Sequence, residues 1–246
     1  MPTASGVADW LVKHRADDAG VPIDAMSLEK HLFYAQGFFL ATRGRPLFAD
    51  EIRAWRDGPV VPDVWRRYAK HGGRPILKSA GAPPPLADDV ENFLSDIVRF
   101  LSPYPAIQLS GATHAEDPWK TARAPFGRHD ASDVPISQEV IASYFTALIS
   151  EGEESLSQHA VLDMVPEPRW GWLYVAGICS RAMRAHPFFI LGTSMWNARL
   201  WETPEAPAYS DELYRPPTLS EAMEFYEFTS AEEYQQLRQR HAKRAQ

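Results

Sequence analysis

Leu28-Glu29-Lys30-His31-Leu32-Phe33-Tyr34-Ala35-Gln36-Gly37 is followed by Pro46-Leu47-Phe48, and then by Ala54-Trp55-Arg56-Asp57-Gly58-Pro59-Val60-Val61-Pro62. This succession decides the fold. Leu28, Leu32, Ala35 and Phe39 mark one face of a helix, and Phe33, Phe38 and Leu40 add a second. A helix that is apolar on most sides belongs at the centre of a domain. Ser27 is the expected N-cap, Gly44 the expected stop at C′, and Pro46 prevents continuation. Leu47 to Trp55 predicts a short strand with Ile52 and Ala54 on one face. Asp57-Gly58-Pro59 predicts a tight turn into a second helix faced by Val64, Trp65 and Tyr68 and closed by Gly72-Gly73. A second strand near Pro75-Ile76-Leu77 is expected to pair with the first.

Outward from this stretch, Val7, Trp10 and Leu11 sit at helical spacing, and Gly20-Val21-Pro22 should end that helix. Leu86, Val90, Phe93, Ile97 and Leu101 give the cleanest amphipathic pattern in the chain. Ser102-Pro103-Tyr104-Pro105 breaks it, and a short helix is expected up to about Gly111. Asp117 is read as an N-cap with Pro118 at the first helical position. Ser137 caps a further helix, with Ile136 and Ile141 as a hydrophobic staple. The expectation is a mainly α (α+β) fold: a helical domain with a small antiparallel β-hairpin over residues 1–150. Residues 151–246 form a C-terminal extension or lobe, ending in short helices at the capping boxes Thr218 to Glu221 and Ser230 to Glu233.

Composition narrows the function. Of 246 residues, 45% are hydrophobic and 23% charged, which suits a globular core. Cys179 is the single cysteine, so no internal disulfide forms, and a reducing cytoplasm is the expected compartment. The N-terminus lacks a basic stretch followed by an apolar run, so it does not read as a signal peptide. The apolar run Trp170 to Ser180 is much shorter than the ~20 residues that span a bilayer, so no membrane partner is expected. Net charge is -7. Residues 202–233 hold nine acids and one base, Arg215, whereas 238–246 hold four bases and no acid. Phosphate tracking needs clustered Lys and Arg, so nucleic acid is not the expected main partner.

Several residues are candidates for chemistry or contact. His114, Glu116 and Asp117 form the best enzyme-like group, and a small hydrolase or transferase using His114 and Glu116 is one reading. One histidine and two acids do not complete a zinc site, and the alternative is that Asp117 caps a helix while His114 bonds a neighbouring loop. Lys30, Tyr34 and Gln36 either line a groove or serve structure, with Lys30 pairing near Glu29 or with a carboxylate such as Asp50. Trp55, Pro59 and Trp119 suit core packing and turn geometry. No Gly-x-Gly-x-x-Gly, P-loop or Gly-x-Ser-x-Gly pattern is present, and no cofactor is expected. In the second part Trp170, Trp172, Tyr174, Phe188, Phe189, Trp196 and Trp201 lie among Arg181, Arg184 and Arg199. Trp172, Trp196 and Trp201 are the candidate partner-binding residues, because aromatics and arginine anchor interfaces; the alternative is a second core. The acidic segment could steer a basic partner.

The opening stretch, the block Thr113-His114-Ala115-Glu116-Asp117-Pro118-Trp119-Lys120 and the closing helix from Ile136 to Phe145 occur in one order. Together they resemble the SocA-like antitoxin family, also called the Panacea domain and related to phage-associated GepA proteins. The resemblance spans about residues 5–150. His31 stands where leucine commonly follows the lysine, and Phe33 stands at an aliphatic position. The resemblance implies a helical domain with a small sheet and no established catalytic residues. It also implies an antitoxin that binds a cognate protein toxin, in one branch as an adaptor delivering the toxin to the AAA+ protease ClpXP. The motif positions it marks are Lys30, Tyr34, Gln36, Trp55, Gly58, Pro59, Val60, His114, Pro118 and Trp119, as structural or partner-contact residues. A further reading is a phage-associated interaction protein whose partner is not a toxin.

Overall fold

The structure is a computed structural model that describes residues 1–17, 22–101, 104, 106–127 and 129–158. The chain divides into two compact units, Met1–Ala147 and Leu148–Gln246. The first holds α1 (Ala4–Asp17), α2 (Ala25–Arg43), a hairpin of β1 (Arg53–Trp55) and β2 (Gly58–Val60), and α3 (Pro62–Tyr68) with a 3-10 turn at Ala69–His71. It continues with α4 (Asp88–Leu101), α5 (Ala106–Ala115), α6 (Asp117–Arg123) and the opening turns of α7 (Gln138–Gln158). The fold is mainly helical with one small antiparallel hairpin. Of the second unit, only the rest of α7 is described, and that helix passes through Ser150, where a domain end was expected.

Helix α2 is the centre. Fifteen of its 19 residues are buried, covering both apolar faces read from the sequence. The other helices wrap it: α1, α4 and α5 all pack against it, as does β2. Its aromatic side chains meet neighbours edge-on, an arrangement favoured by the ring quadrupole. Phe38 meets Phe100 of α4 at 5.9 Å and Phe145 of α7 at 4.8 Å, and Phe39 meets Phe93 at 5.1 Å. The predicted amphipathic helix is α4, with Val90, Phe93, Ile97 and Leu101 all buried.

The ends of α2 correct one expectation. Asp24, not Ser27, is the N-cap: its Oδ1 accepts from the Ser27 N–H at 2.8 Å. Ser27 is therefore the third helical residue, because Ala25 and Met26 already continue the helix. At the other end Gly44 adopts φ 64° and donates its N–H to Leu40 O, as expected for a C′ glycine. Glu116 likewise displaces Asp117 as the residue preceding α6, and Asp117 pairs instead with Lys120 at 3.1 Å on the surface.

The hairpin also departs from expectation. Its second strand is Gly58–Val60, so the turn is Arg56-Asp57 and no strand at 75–77 joins it; the register sets Ala54 opposite Pro59. Pro59 fits because that pair exchanges no hydrogen bond. The Ala54 N–H points the other way, to Val134 O at 2.8 Å, and Ile136 donates to Ile52 O, so residues 134–136 line the outer edge of β1. Ile76 makes an isolated bridge with Ile23 instead. Ser137 caps α7 as read, its Oγ accepting from the Val140 N–H, with Ile136 and Ile141 both buried. Asp9 of α1 accepts from Arg67 at 2.9 Å and from the Tyr68 hydroxyl, tying α1 to α3.

At Gly37 α2 and α7 approach closely: a Cβ there would lie 2.3 Å from Phe145 Cε2. Gly37→Ala is therefore expected to destabilise the protein by ~1–3 kcal/mol through overpacking, despite alanine's better helix propensity. Urea titration of both proteins measures it, and an unchanged midpoint would contradict the close packing.

Candidate functional site: the clamped hairpin

Burial of α2 on all sides encloses charged side chains, and their partners explain the motif residues. Lys30 is 1% exposed. Its Nζ donates to two main-chain carbonyls of the hairpin, Asp57 O at 2.8 Å and Pro59 O at 3.2 Å. These carbonyls, rather than Asp50, are its partners; Asp50 accepts the Ala4 N–H at 2.9 Å at the start of α1. Glu29 caps the other side of β2, accepting the Val61 N–H at 2.8 Å. Burial pushes the Glu29 carboxyl up, with the Val61 N–H and the Lys30 charge opposing. Burial pushes the Lys30 ammonium down, with Glu29, Asp57 and Asp24 opposing.

Gly58 is required by the same contact. It sits at φ 110°, and a Cβ there would lie 2.4 Å from Lys30 Nζ and 3.1 Å from Thr113 Oγ1. Only glycine accepts both that backbone region and that approach. Two more helices reach the hairpin: Ser110 Oγ of α5 donates to Asp57 O at 3.2 Å, and Trp119 Nε1 of α6 donates to Trp55 O at 2.8 Å. Three helices thus supply side-chain donors to the carbonyls of Trp55, Asp57 and Pro59.

Tyr34 and Gln36 serve the same scaffold. The Tyr34 hydroxyl donates to Glu116 Oε1 at 3.0 Å, across 82 residues of chain. Gln36 Oε1 accepts from the Leu47 and Phe48 N–H groups and its Nε2 donates to Phe48 O, which fixes the extended segment after α2. Both side chains are buried, and Gln36 also borders a depression lined by Asp50, Ile52 and Ile136. Val60 and Pro118 are buried as well. His114 stacks on Trp119, with centroids 4.2 Å apart. Each member of the candidate pair thus makes a contact inside the domain, Glu116 with Tyr34 and His114 with Trp119. Among the described residues no group of three or more His, Cys, Asp or Glu could hold a metal ion. No described helix is long and apolar enough to cross a membrane.

Trp55 departs from the core role expected of it. It is only half-buried, donates Nε1 to Asp133 Oδ1 at 2.9 Å, and meets Trp65 edge-on at 6.1 Å. Trp172, Trp196 and Trp201 lie outside the described residues, as do the acidic segment and the basic tail. Ser110, Thr113 and Glu29 were not singled out from the sequence. A Glu-Lys pair inside an otherwise apolar helix was a signal for Glu29, since buried charges need partners; nothing local marks Ser110.

His31 carries a separate consequence. It is fully buried, its Nδ1 lies 2.7 Å from Ser27 O, and burial with the nearby Arg15 charge pushes its pKa down to about 3 from 6.5. Between these values the unfolded chain binds a proton that the folded chain refuses, so stability falls as pH drops from 6.5 toward 3. His31→Leu should remove this component, so the variant gains about 2 kcal/mol relative to the wild type on going from pH 7 to pH 5. Urea titrations at both pH values read the difference, from which Glu29, common to both proteins, cancels. Lys30→Met should cost about 3–5 kcal/mol at pH 7, because it strips the buried charge from Glu29 and two carbonyls. A loss below 1 kcal/mol by the same titration would contradict the clamp.

Residues 28–120 match the family described as antitoxin SocA-like, Panacea domain. The chain is 29% identical over 154 residues to antitoxin SocA of Caulobacter vibrioides (strain NA1000 / CB15N), covering 58% of this chain and 81% of that protein. No solved structure matches. The matched segment opens at Leu28 and closes just after Trp119, so it contains Lys30, Tyr34, Gln36, the hairpin and the His114–Trp119 stack. Over residues 28–120 the chain is thus similar to the SocA-like, Panacea-domain antitoxin family.

Proposed function

We infer that this chain is the antitoxin of a two-gene toxin–antitoxin system and holds a cognate protein toxin in a stoichiometric complex. The observation that carries the reading is the match of residues 28–120 to an antitoxin family, supported by similarity over most of the length of SocA. The geometry favours binding over bond-making, because the motif residues are consumed in holding α2, the hairpin and the α5–α6 junction together. Neutralisation would then act by masking the toxin or by presenting it to a protease such as ClpXP in the cytoplasm. An adaptor needs one surface for cargo and one for the unfoldase. The domain at 1–150 and the extension at 151–246 would divide these tasks, with Trp172, Trp196 and Trp201 as candidate contacts in the extension.

Co-expression tests the reading. The product of the neighbouring reading frame should arrest growth alone, and growth should recover when this chain is present. A harmless neighbour, or one that stays toxic, overturns the assignment. Deleting residues 230–246 separates the two modes: a tether there predicts a longer toxin lifetime with complex formation retained, and an unchanged lifetime rejects the tether.

A further inference from the structure

Residues 64–87 hold five bases and no acid, within a chain of net charge -7. Two of the five are matched: Arg66 pairs with Asp63, and Arg67 with the buried Asp9. The other three, Lys70, Arg74 and Lys78, are exposed, and among the described residues no carboxylate pairs with any of them. The segment that carries them is fastened from beneath. Arg74 donates its N–H to His71 O at 2.9 Å and its guanidinium to Lys70 O at 3.3 Å, so residues 72–74 fold back onto the 3-10 turn. Ile76 is fully buried, and its N–H donates to Ile23 O at 2.8 Å. Further on, the Ala80 N–H donates to the Tyr68 hydroxyl at 2.9 Å. With Ile76 pointing inward, the alternation of extended backbone turns Leu77 outward, where it is 73% exposed. Gly72 and Gly73 lie in the open, and a Cβ at either would meet nothing within 4 Å.

We propose that the exposed segment from Lys70 to Lys78 is a docking face for an acidic segment of a protein partner. The proposal rests on the antitoxin reading and names the surface that reading would use. Cations that hold no carboxylate of their own give up no ion pair when a partner's carboxylates arrive, and charge of opposite sign across an interface steers the encounter. The three fastenings hold the segment in one geometry beforehand, so little ordering cost falls on binding. Leu77 decides the class of occupant. A phosphate backbone offers an exposed leucine nothing apolar to cover it, whereas a polypeptide can set an apolar side chain beside its acids. The bare backbone at Gly72 and Gly73 leaves room for that chain to approach.

The test uses the full chain and the purified product of the neighbouring reading frame. The double variant Lys70→Glu/Lys78→Glu should weaken that complex by about tenfold or more and flatten its dependence on NaCl. Arg99→Glu/Lys120→Glu reverses two exposed cations elsewhere and is the charge-matched control, which should bind as the wild type does. Lys70→Gln/Lys78→Gln gives a milder loss in the same direction, and a wild-type urea midpoint for it excludes misfolding as the cause. If the wild type binds but the Lys70/Lys78 variants bind equally well, the docking face falls and the antitoxin reading stands. A loss shared by the control also overturns the face, since it reports net charge alone. If the wild type does not bind this product at all, both ideas fall together. Binding of a duplex DNA oligonucleotide or of phosphatidylglycerol vesicles that Lys70→Glu/Lys78→Glu abolishes would assign the segment to a polyanion of another class and overturn the proposal.

Discussion

A helix buried on every side can send its polar groups nowhere except into the protein. In α2 that constraint falls on Glu29, Lys30, His31, Tyr34 and Gln36, all within one stretch and all enclosed. Each is answered at a distance: by β2, the hairpin turn, α6 or the segment after α2, with His31 alone turning back onto its own helix. The apolar face of α2 supplies the driving force for burial, but an uncompensated buried charge would cost several kcal/mol. The surrounding elements are therefore fixed by what the polar residues require, as well as by packing. This is why the motif reads as one unit although its partners are spread from Leu47 to Glu116.

The hairpin shows how the requirement produces a surface. A two-stranded ribbon is marginal by itself. Here its turn carbonyls accept donors from three helices, and residues 134–136 cover the outer edge of β1. What is left facing outward is half of Trp55 and the arginines around it. One side of the turn is thus locked and the other is presented.

The periodic elements were legible in the sequence. The all-round apolar pattern of α2, the amphipathic pattern of α4, the Gly44 stop and the Ser137 cap all follow from local chemistry, and each is found as read. The misplacements share a cause. Asp24 rather than Ser27 caps α2, and Gly58-Pro59 enters a strand rather than a turn, because each outcome depends on what faces the residue in space. Gly58 suits a turn by its own preference; the ammonium of Lys30 behind it makes glycine necessary in the strand. Lys30 was visible as a motif position, but a main-chain carbonyl as its partner leaves no trace in sequence, since every residue carries one. Trp55 and Trp119 looked alike as bulky core residues. Only the three-dimensional arrangement separates the one that donates inward to the hairpin from the one that stands at its rim.

The enclosure of Lys30 has a chemical corollary. An amine shut behind a glycine and hydrogen-bonded to two carbonyls is one that no reagent can reach while the hairpin is in place. Acylating agents would label the outer lysines first and find this one only in molecules whose ribbon has lifted. The side chain that locks the turn is thus also a record of each time the lock opens.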